Sequence, residues 1–271
     1  MFSSAPKLCF IMILSFQLPY NKRMNSKKTQ PAILIHDLTH RYKDTEVLKT
    51  VNLSVMPGEV FGFLGHNGAG KTTAVNIMTT LLKPSSGSVK IFGEDVVQNS
   101  FAVRRIIGYV PESVFLYDTL TARENLIFFA KLSGVVNAEQ AVAKTLKFLD
   151  CEGLADRRLG TFSKGMRQRI GLAQAIVHQP KVLFLDEPTS GLDPEGVLLL
   201  RATILRLKTD YGMTIFMNTH LLSEVSKVCT NIGILRYGKL LYSGSLDDLT
   251  HKFPARALLE DIYLSYENQS K

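Results

Sequence analysis

Runs of apolar residues, and the turn-forming residues between them, divide the chain into strands and helices. Val60-Phe61-Gly62-Phe63-Leu64 and Val182-Leu183-Phe184-Leu185 are continuous apolar runs, the pattern of strands buried on both faces of a parallel sheet. Thr214 to Asn218 and Ile232 to Leu235 read as further strands, the second running into a hairpin through Tyr237-Gly238-Lys239. Ahead of these, Ala32 to Thr39 reads as an edge strand and Arg41-Tyr42-Lys43-Asp44 as a turn. Val51 to Val55 is a second strand, ending at Met56-Pro57-Gly58-Glu59, and Gly87 to Gly93 holds a short one. Helical stretches run from Thr73 to Leu82, from Ala122 to Ala130 behind a Thr121 cap, and from Asn137, itself a cap, to Leu149. Others are Ile170 to Val177, Pro194 to Leu207, and a short one from Leu221. The predicted architecture is α/β, a mostly parallel sheet beside an antiparallel β patch. Residues 115–165 carry no strand signal and predict a helical lobe. Residues 1–28 read as a poorly ordered extension, 29–249 as one domain, and 250–271 as a tail with a short amphipathic helix from Leu258 to Leu264.

Composition narrows this picture. At 271 residues and 45% hydrophobic, the chain can bury one sizeable core. The longest membrane-like candidate, Leu8 to Leu18, is interrupted by Ser15 and Gln17 and falls well short of the ~20 apolar residues of a membrane span. It follows Lys7 like a signal-peptide core, yet no small-x-small cleavage site comes before Pro19. Two readings stay open: an untranslated upstream stretch with the working start at Met24, or a tail that touches a membrane surface. Cys9, Cys151 and Cys229 are far apart, odd in number and form no CxxC pair, which points to a reduced cytosolic compartment and no zinc site. The net charge of +8 is partly local, since Lys7, Lys22, Arg23, Lys27 and Lys28 all precede the first acid, Asp37. With no tryptophan and no interleaved basic and aromatic stretch, no nucleic acid is expected as a partner.

The chemistry centres on Gly65-His66-Asn67-Gly68-Ala69-Gly70-Lys71-Thr72-Thr73, set between an apolar strand and a helix. Such a loop turns consecutive backbone N–H groups toward one anion, and the helix adds the positive end of its dipole. Lys71 supplies a full charge for β- and γ-phosphates, and the Thr72 hydroxyl can ligate Mg²⁺. Asp186 and Glu187 end a buried strand, where the active site of a parallel sheet is expected. Asp186 can hold Mg²⁺ and Glu187 can face an attacking water as general base. His220 follows a neighbouring strand and can donate to the γ-phosphate. His36, His40, His66, His178 and His251 read as structural side chains. There is no internal repeat and no second phosphate loop.

Five motifs in this order resemble the ATP-binding subunit of an ABC transporter: Gly65 to Thr72, Phe162 to Arg169, Val182 to Pro188, Ser190-Gly191-Leu192-Asp193, and His220. The resemblance implies a P-loop NTPase core with an antiparallel β patch and a helical subdomain. It also implies two subunits, expected to be two copies of the chain, that sandwich two ATP molecules head to tail. Ser163 and Gly165 would then contact the γ-phosphate held by the partner, Asp193 would cross the interface, and Tyr42 would stack on adenine. The expected cofactors are ATP and Mg²⁺. The expected partner is an integral membrane permease, facing the helical lobe near Phe115 to Phe129, with the chain peripheral on the cytoplasmic face. Two positions depart from the usual pattern. Lys164 replaces a glycine of the signature and either favours ATP or is solvated. Glu112 replaces a glutamine; it can still ligate Mg²⁺ through oxygen but cannot donate an amide hydrogen bond. Both variants resemble the branch that powers drug, sodium, lipid or polysaccharide export. A soluble ABC-type ATPase acting on ribosomes or DNA, and a nucleotide-binding regulator without turnover, remain as alternatives.

Overall fold

A computed structural model describes residues 30–251; the expected extension at 1–28 and the tail helix Leu258 to Leu264 lie outside the described residues. In chain order the elements are β1 (Ile33–Tyr42), β2 (Thr45–Val55), β3 (Val60–Leu64), α1 (Lys71–Met78), β4 (Ser86–Ile91), β5 (Glu94–Asp95), α2 (Ser100–Ile106) and β6 (Ile107–Val110). There follow α3 (Ala122–Leu132), α4 (Ala138–Phe148), α5 (Lys164–Ile176), β7 (Val182–Asp186), α6 (Pro194–Tyr211), β8 (Thr214–Thr219), α7 (Leu222–Val228), β9 (Asn231–Arg236), β10 (Lys239–Ser245) and α8 (Leu246–His251). Two sheets result, one in the order β2-β1-β4-β5 and one in the order β10-β9-β3-β8-β7-β6. In the larger sheet β9, β3, β8, β7 and β6 are mutually parallel and β10 is antiparallel to β9. The smaller sheet is antiparallel throughout. This is the α/β arrangement the sequence predicts.

The continuous apolar runs explain the layering. Phe61, Phe63, Phe184 and Phe216 point to one face of the parallel sheet, where they pack with α1 and the antiparallel sheet. Their chain neighbours Val60, Leu64, Leu183, Leu185, Ile215 and Met217 point to the other, against α3 to α7. Every residue of β3, β7 and β8 is therefore buried. The strand ends, with the loops that follow them, are left to carry polar chemistry.

Several local expectations need correction. β1 is not an edge strand: Ile33 pairs with Val55 of β2 on one side and with Ile91 of β4 on the other. Tyr42 ends β1 instead of lying in the turn, and β2 starts at Thr45, well before Val51. Its polar first half pairs through register shifts that break the alternation a sequence pattern relies on. α2 has no counterpart among the expected elements. α5 begins at Lys164 because Ser163 caps it, accepting from Met166 N at 3.3 Å. Asn137 precedes α4 but makes no side-chain cap.

Thr121 does cap α3. Its hydroxyl accepts from Glu124 N at 3.2 Å, and Glu124 Oε2 accepts from Thr121 N at 2.8 Å. Both orphan donors are thus satisfied. Thr121→Ala is expected to lower the thermal midpoint by about 2–4 °C, measured by scanning calorimetry, since a lost cap acts on one helix only.

Candidate functional site

The loop Gly65–Thr73 joins β3 to α1, and two of its glycines are required by the backbone around it. A Cβ on Gly65 would stand 2.4 Å from the Leu235 carbonyl oxygen, and one on Gly70 would stand 2.8 Å from that of Val47. Gly70 also has φ 107° and occupies the cap position of α1 without any side-chain cap, so the first-turn N–H groups face outward as an anion site. Ala69 O accepts from Gly238 N at 2.9 Å, which anchors the loop to the β9–β10 hairpin. The His66 ring lies against Tyr237, centroids 4.7 Å apart, and its Nδ1 pairs with the Asn67 carbonyl at 2.8 Å. Lys71 is buried and donates to the carbonyls of Gly65 at 2.7 Å and His66 at 3.2 Å. Burial pulls its ammonium below the usual lysine range, an effect opposed by the carboxylates of Glu187 and Asp186. In the first turn of α1, Thr72 is exposed and Thr73 half-buried.

Those carboxylates sit at the end of β7. Asp186 is buried and accepts a hydrogen bond from Asn218 Nδ2 of β8, its register partner. Burial raises its pKa, Asn218 works against this, and the negative charges of Glu187 and Glu112 add to the rise. Tyr109 of β6 holds Asp186 from the opposite side; its phenol is driven well above the usual range by burial, then by the Asp186 charge and their hydrogen bond. Glu187 adopts a left-handed φ of 45°, a conformation that costs a non-glycine residue about 1–3 kcal/mol. Its N–H donates to Asn218 O at 2.9 Å, and its Oε2 lies 2.9 Å from His220 Nδ1. Glu187 is 13% exposed and His220 48%. Behind His220, α7 is pinned to α6 by a two-pronged ion pair in which Arg201 Nε donates to Glu224 Oε2 at 2.7 Å and Nη2 bonds Oε1.

The expected residues thus fall into groups. Lys71, Asp186, Glu187 and His220 come together at the ends of β3, β7 and β8. Glu112 is close enough to act on Asp186 and accepts from Ser190 Oγ at 3.2 Å. Ser163, Gly165 and Asp193 form a second group, at the N-termini of α5 and α6. There Asp193 caps α6 by accepting from Gly196 N at 2.8 Å, and Ser163 and Asp193 border one cleft of about 210 Å³. Tyr42 ends β1, exposed and edge-on to His40 with centroids 4.6 Å apart. Asn218, Tyr109 and Ser190 also belong to the site, though the sequence assigns them no role. What gives them one is the strand order β8-β7-β6 and the turn after Glu187, and neither is a local signal.

This arrangement can be set beside known proteins. The profile of the family described as ABC transporter matches residues 48–190. The chain is 40% identical over 213 residues to the bacitracin transport ATP-binding protein BcrA of Bacillus licheniformis, covering 79% of this chain and 69% of that one. It is 34% identical over 222 residues to the linearmycin resistance ATP-binding protein LnrL of Bacillus subtilis, covering 81% and 71%. Among solved structures, an ATP-binding subunit of an ABC transporter matches with a TM-score of 0.80 at 30% identity, over 88% of this chain and 100% of that one. A dimeric bacterial ABC transporter cassette matches with a TM-score of 0.72 at 26% identity, over 79% of this chain and 98% of that one. On these matches, in sequence and in fold, the chain belongs to the ATP-binding proteins of ABC transporters.

Proposed function

We propose that this chain hydrolyses ATP with Mg²⁺ and thereby powers export through a separate integral membrane permease, working as a pair of nucleotide-binding subunits that are two copies of the chain. The observation that carries the reading is the cluster of Lys71, Asp186, Glu187 and His220 beside the uncapped start of α1. Lys71 and the loop N–H groups of Gly65 to Thr73 bind and orient the β- and γ-phosphates. The donors beside the phosphate loop are a hydroxyl and carboxylate oxygens, which suit Mg²⁺, an ion that takes few protein oxygens and fills its shell with phosphate and water. Thr72 and Asp186, with Glu112 nearby, would hold Mg²⁺, which would neutralise phosphate charge during transfer. Glu187 takes the proton from the attacking water. To donate to the γ-phosphate as well as to Glu187, His220 would carry both ring protons, with Nδ1–H toward Glu187 and Nε2–H toward the phosphate. Tyr42 stacks on adenine, and Ser163, Gly165 and Asp193 meet the partner's nucleotide. Two dimeric structures of one relative, one of them bound to ADP and Pi, support that last step.

The permease would dock on the helical lobe, at about 115–165 of an ATP-binding domain spanning 29–249. Phe115 is 83% exposed, and Tyr117 and Phe128, also exposed, pack edge-on with centroids 5.5 Å apart. Leu132, one helical turn beyond Phe128, and Val136 are exposed as well. Among the described residues no helix is long and apolar enough to cross a membrane. Docked on that partner, the chain would lie on the cytoplasmic face of the membrane. Given the relatives' names, bacitracin and linearmycin are the first compounds to test for export. The decisive experiment is a pull-down from detergent-solubilised native membranes with ATP, comparing the wild type with Phe115→Asp. An integral membrane protein should be recovered by the wild type and lost with Phe115→Asp. Recovery of ribosomal or other soluble partners alone would overturn the transport reading.

A further inference from the structure

The two departures from the family pattern, Glu112 and Lys164, meet on one short stretch of the same chain. The turn after Glu187 is closed by Ser190 N donating to Glu187 O at 3.0 Å and by Leu192 N donating to Thr189 O at 3.2 Å. Whatever fixes Ser190 and Gly191 therefore fixes the backbone from which the Glu187 carboxylate projects. From one side, Glu112 Oε1 accepts the Ser190 hydroxyl at 3.2 Å. From the other, the Lys164 side chain covers Gly191. A Cβ built there would stand 2.6 Å from Nζ and 3.0 and 3.1 Å from Cδ and Cε. Gly191 has φ 70°, so the turn needs glycine at this place, and the absence of a side chain leaves the slot that the lysine stem fills. The next residue continues the contact: a Cβ on Gly165 would stand 3.6 Å from Leu192 Cδ2, an ordinary packing distance.

We infer that Glu112 and Lys164 form a two-sided clamp, within one chain, on the turn that carries Glu187, and that Lys164 acts there through its aliphatic stem as a positioning residue and not as a phosphate ligand. The inference rests on the ATPase reading above. It assigns a role to the lysine that replaces a signature glycine. It also links three regions: the loop after β6 that leads to the exposed aromatic lobe, the start of α5, and the catalytic turn. A glutamate at 112 suits this use because it needs only to accept from Ser190.

The test separates stem from charge in steady-state ATPase assays of the purified chain. Lys164→Met keeps an unbranched stem and removes the ammonium; Lys164→Gly removes both. Lys164→Gly should lower kcat about 10-fold, as expected when a catalytic group is slightly misplaced, while Lys164→Met stays within about twofold of wild type and KM for MgATP changes little in either. Ser190→Ala should also cost about 10-fold, and Ser190→Ala combined with Lys164→Gly about 10-fold, not the roughly 100-fold of independent effects. Lys164→Met as slow as Lys164→Gly, with a raised KM, would make the lysine a phosphate ligand and overturn the clamp. Wild-type rates in both variants, or a multiplicative double variant, would overturn it equally. A wild-type chain without ATPase activity would instead overturn the reading on which the clamp rests.

Discussion

Glu187→Gln is expected to lower kcat for MgATP by about 10²–10⁴-fold, the usual contribution of a positioned general base, while leaving ATP binding nearly unchanged. The geometry accounts for both halves of this result. Glu187 is largely buried, it follows Asp186 directly, and its carboxylate lies 2.9 Å from His220 Nδ1. Glutamine keeps the size of the side chain and an oxygen for the histidine N–H, and it leaves the left-handed backbone at 187 untouched. What it loses is the ability to take a proton. A change that lowers kcat without raising KM is the signature of a group used only in the transition state. The same substitution should let an ATP-bound dimer accumulate, visible by light scattering as a doubling of mass with ATP and its absence with ADP, because hydrolysis would no longer release the closed state. Equal turnover in the variant and the wild type would remove Glu187 from the catalytic role, whereas no turnover in the wild type would favour a regulator without turnover.

Much of this site is legible in the sequence because its parts are contiguous. A glycine loop between an apolar strand and a helix, and two acids at the end of another apolar strand, are each local patterns with a local physical cause. Burial of both faces of β3, β7 and β8 follows from their unbroken apolar runs. What the sequence does not display is adjacency across the sheet. Asn218 supports Asp186 because β8 lies beside β7 in register, and Tyr109 reaches it because β6 lies on the other side. Both depend on strand order, which no window of residues contains. The antiparallel patch was harder still. β1 lies between β2 and β4, and its register shifts toward both partners blur the alternation that marks a strand. Strain is equally invisible: nothing in Asp186-Glu187-Pro188 announces the positive φ at Glu187.

Lys71→Ala should abolish measurable hydrolysis and weaken ATP binding by about 2–5 kcal/mol, roughly 30- to 4,000-fold, the cost of truncating one partner of a buried, hydrogen-bonded charge pair. The ammonium is held at a fixed place by the Gly65 carbonyl at 2.7 Å, in a setting that burial already makes costly for a charge. Around it stand Asp186 and Glu187, with Glu112 acting on Asp186 as well. Removing the lysine therefore leaves these carboxylates near incoming phosphates without its charge to offset them. Two consequences follow for measurement. Isothermal titration with ATP should show the loss of affinity, and it should be larger for ATP than for adenosine, which carries no phosphate for Lys71 to meet. Lys71→Arg should fail to restore activity, because a planar guanidinium cannot occupy the place of a compact ammonium between two loop carbonyls. If Lys71→Ala bound ATP and adenosine as the wild type does, Lys71 would be only a brace for the loop, and phosphate recognition would have to rest on the backbone N–H groups of Gly65 to Thr73 alone.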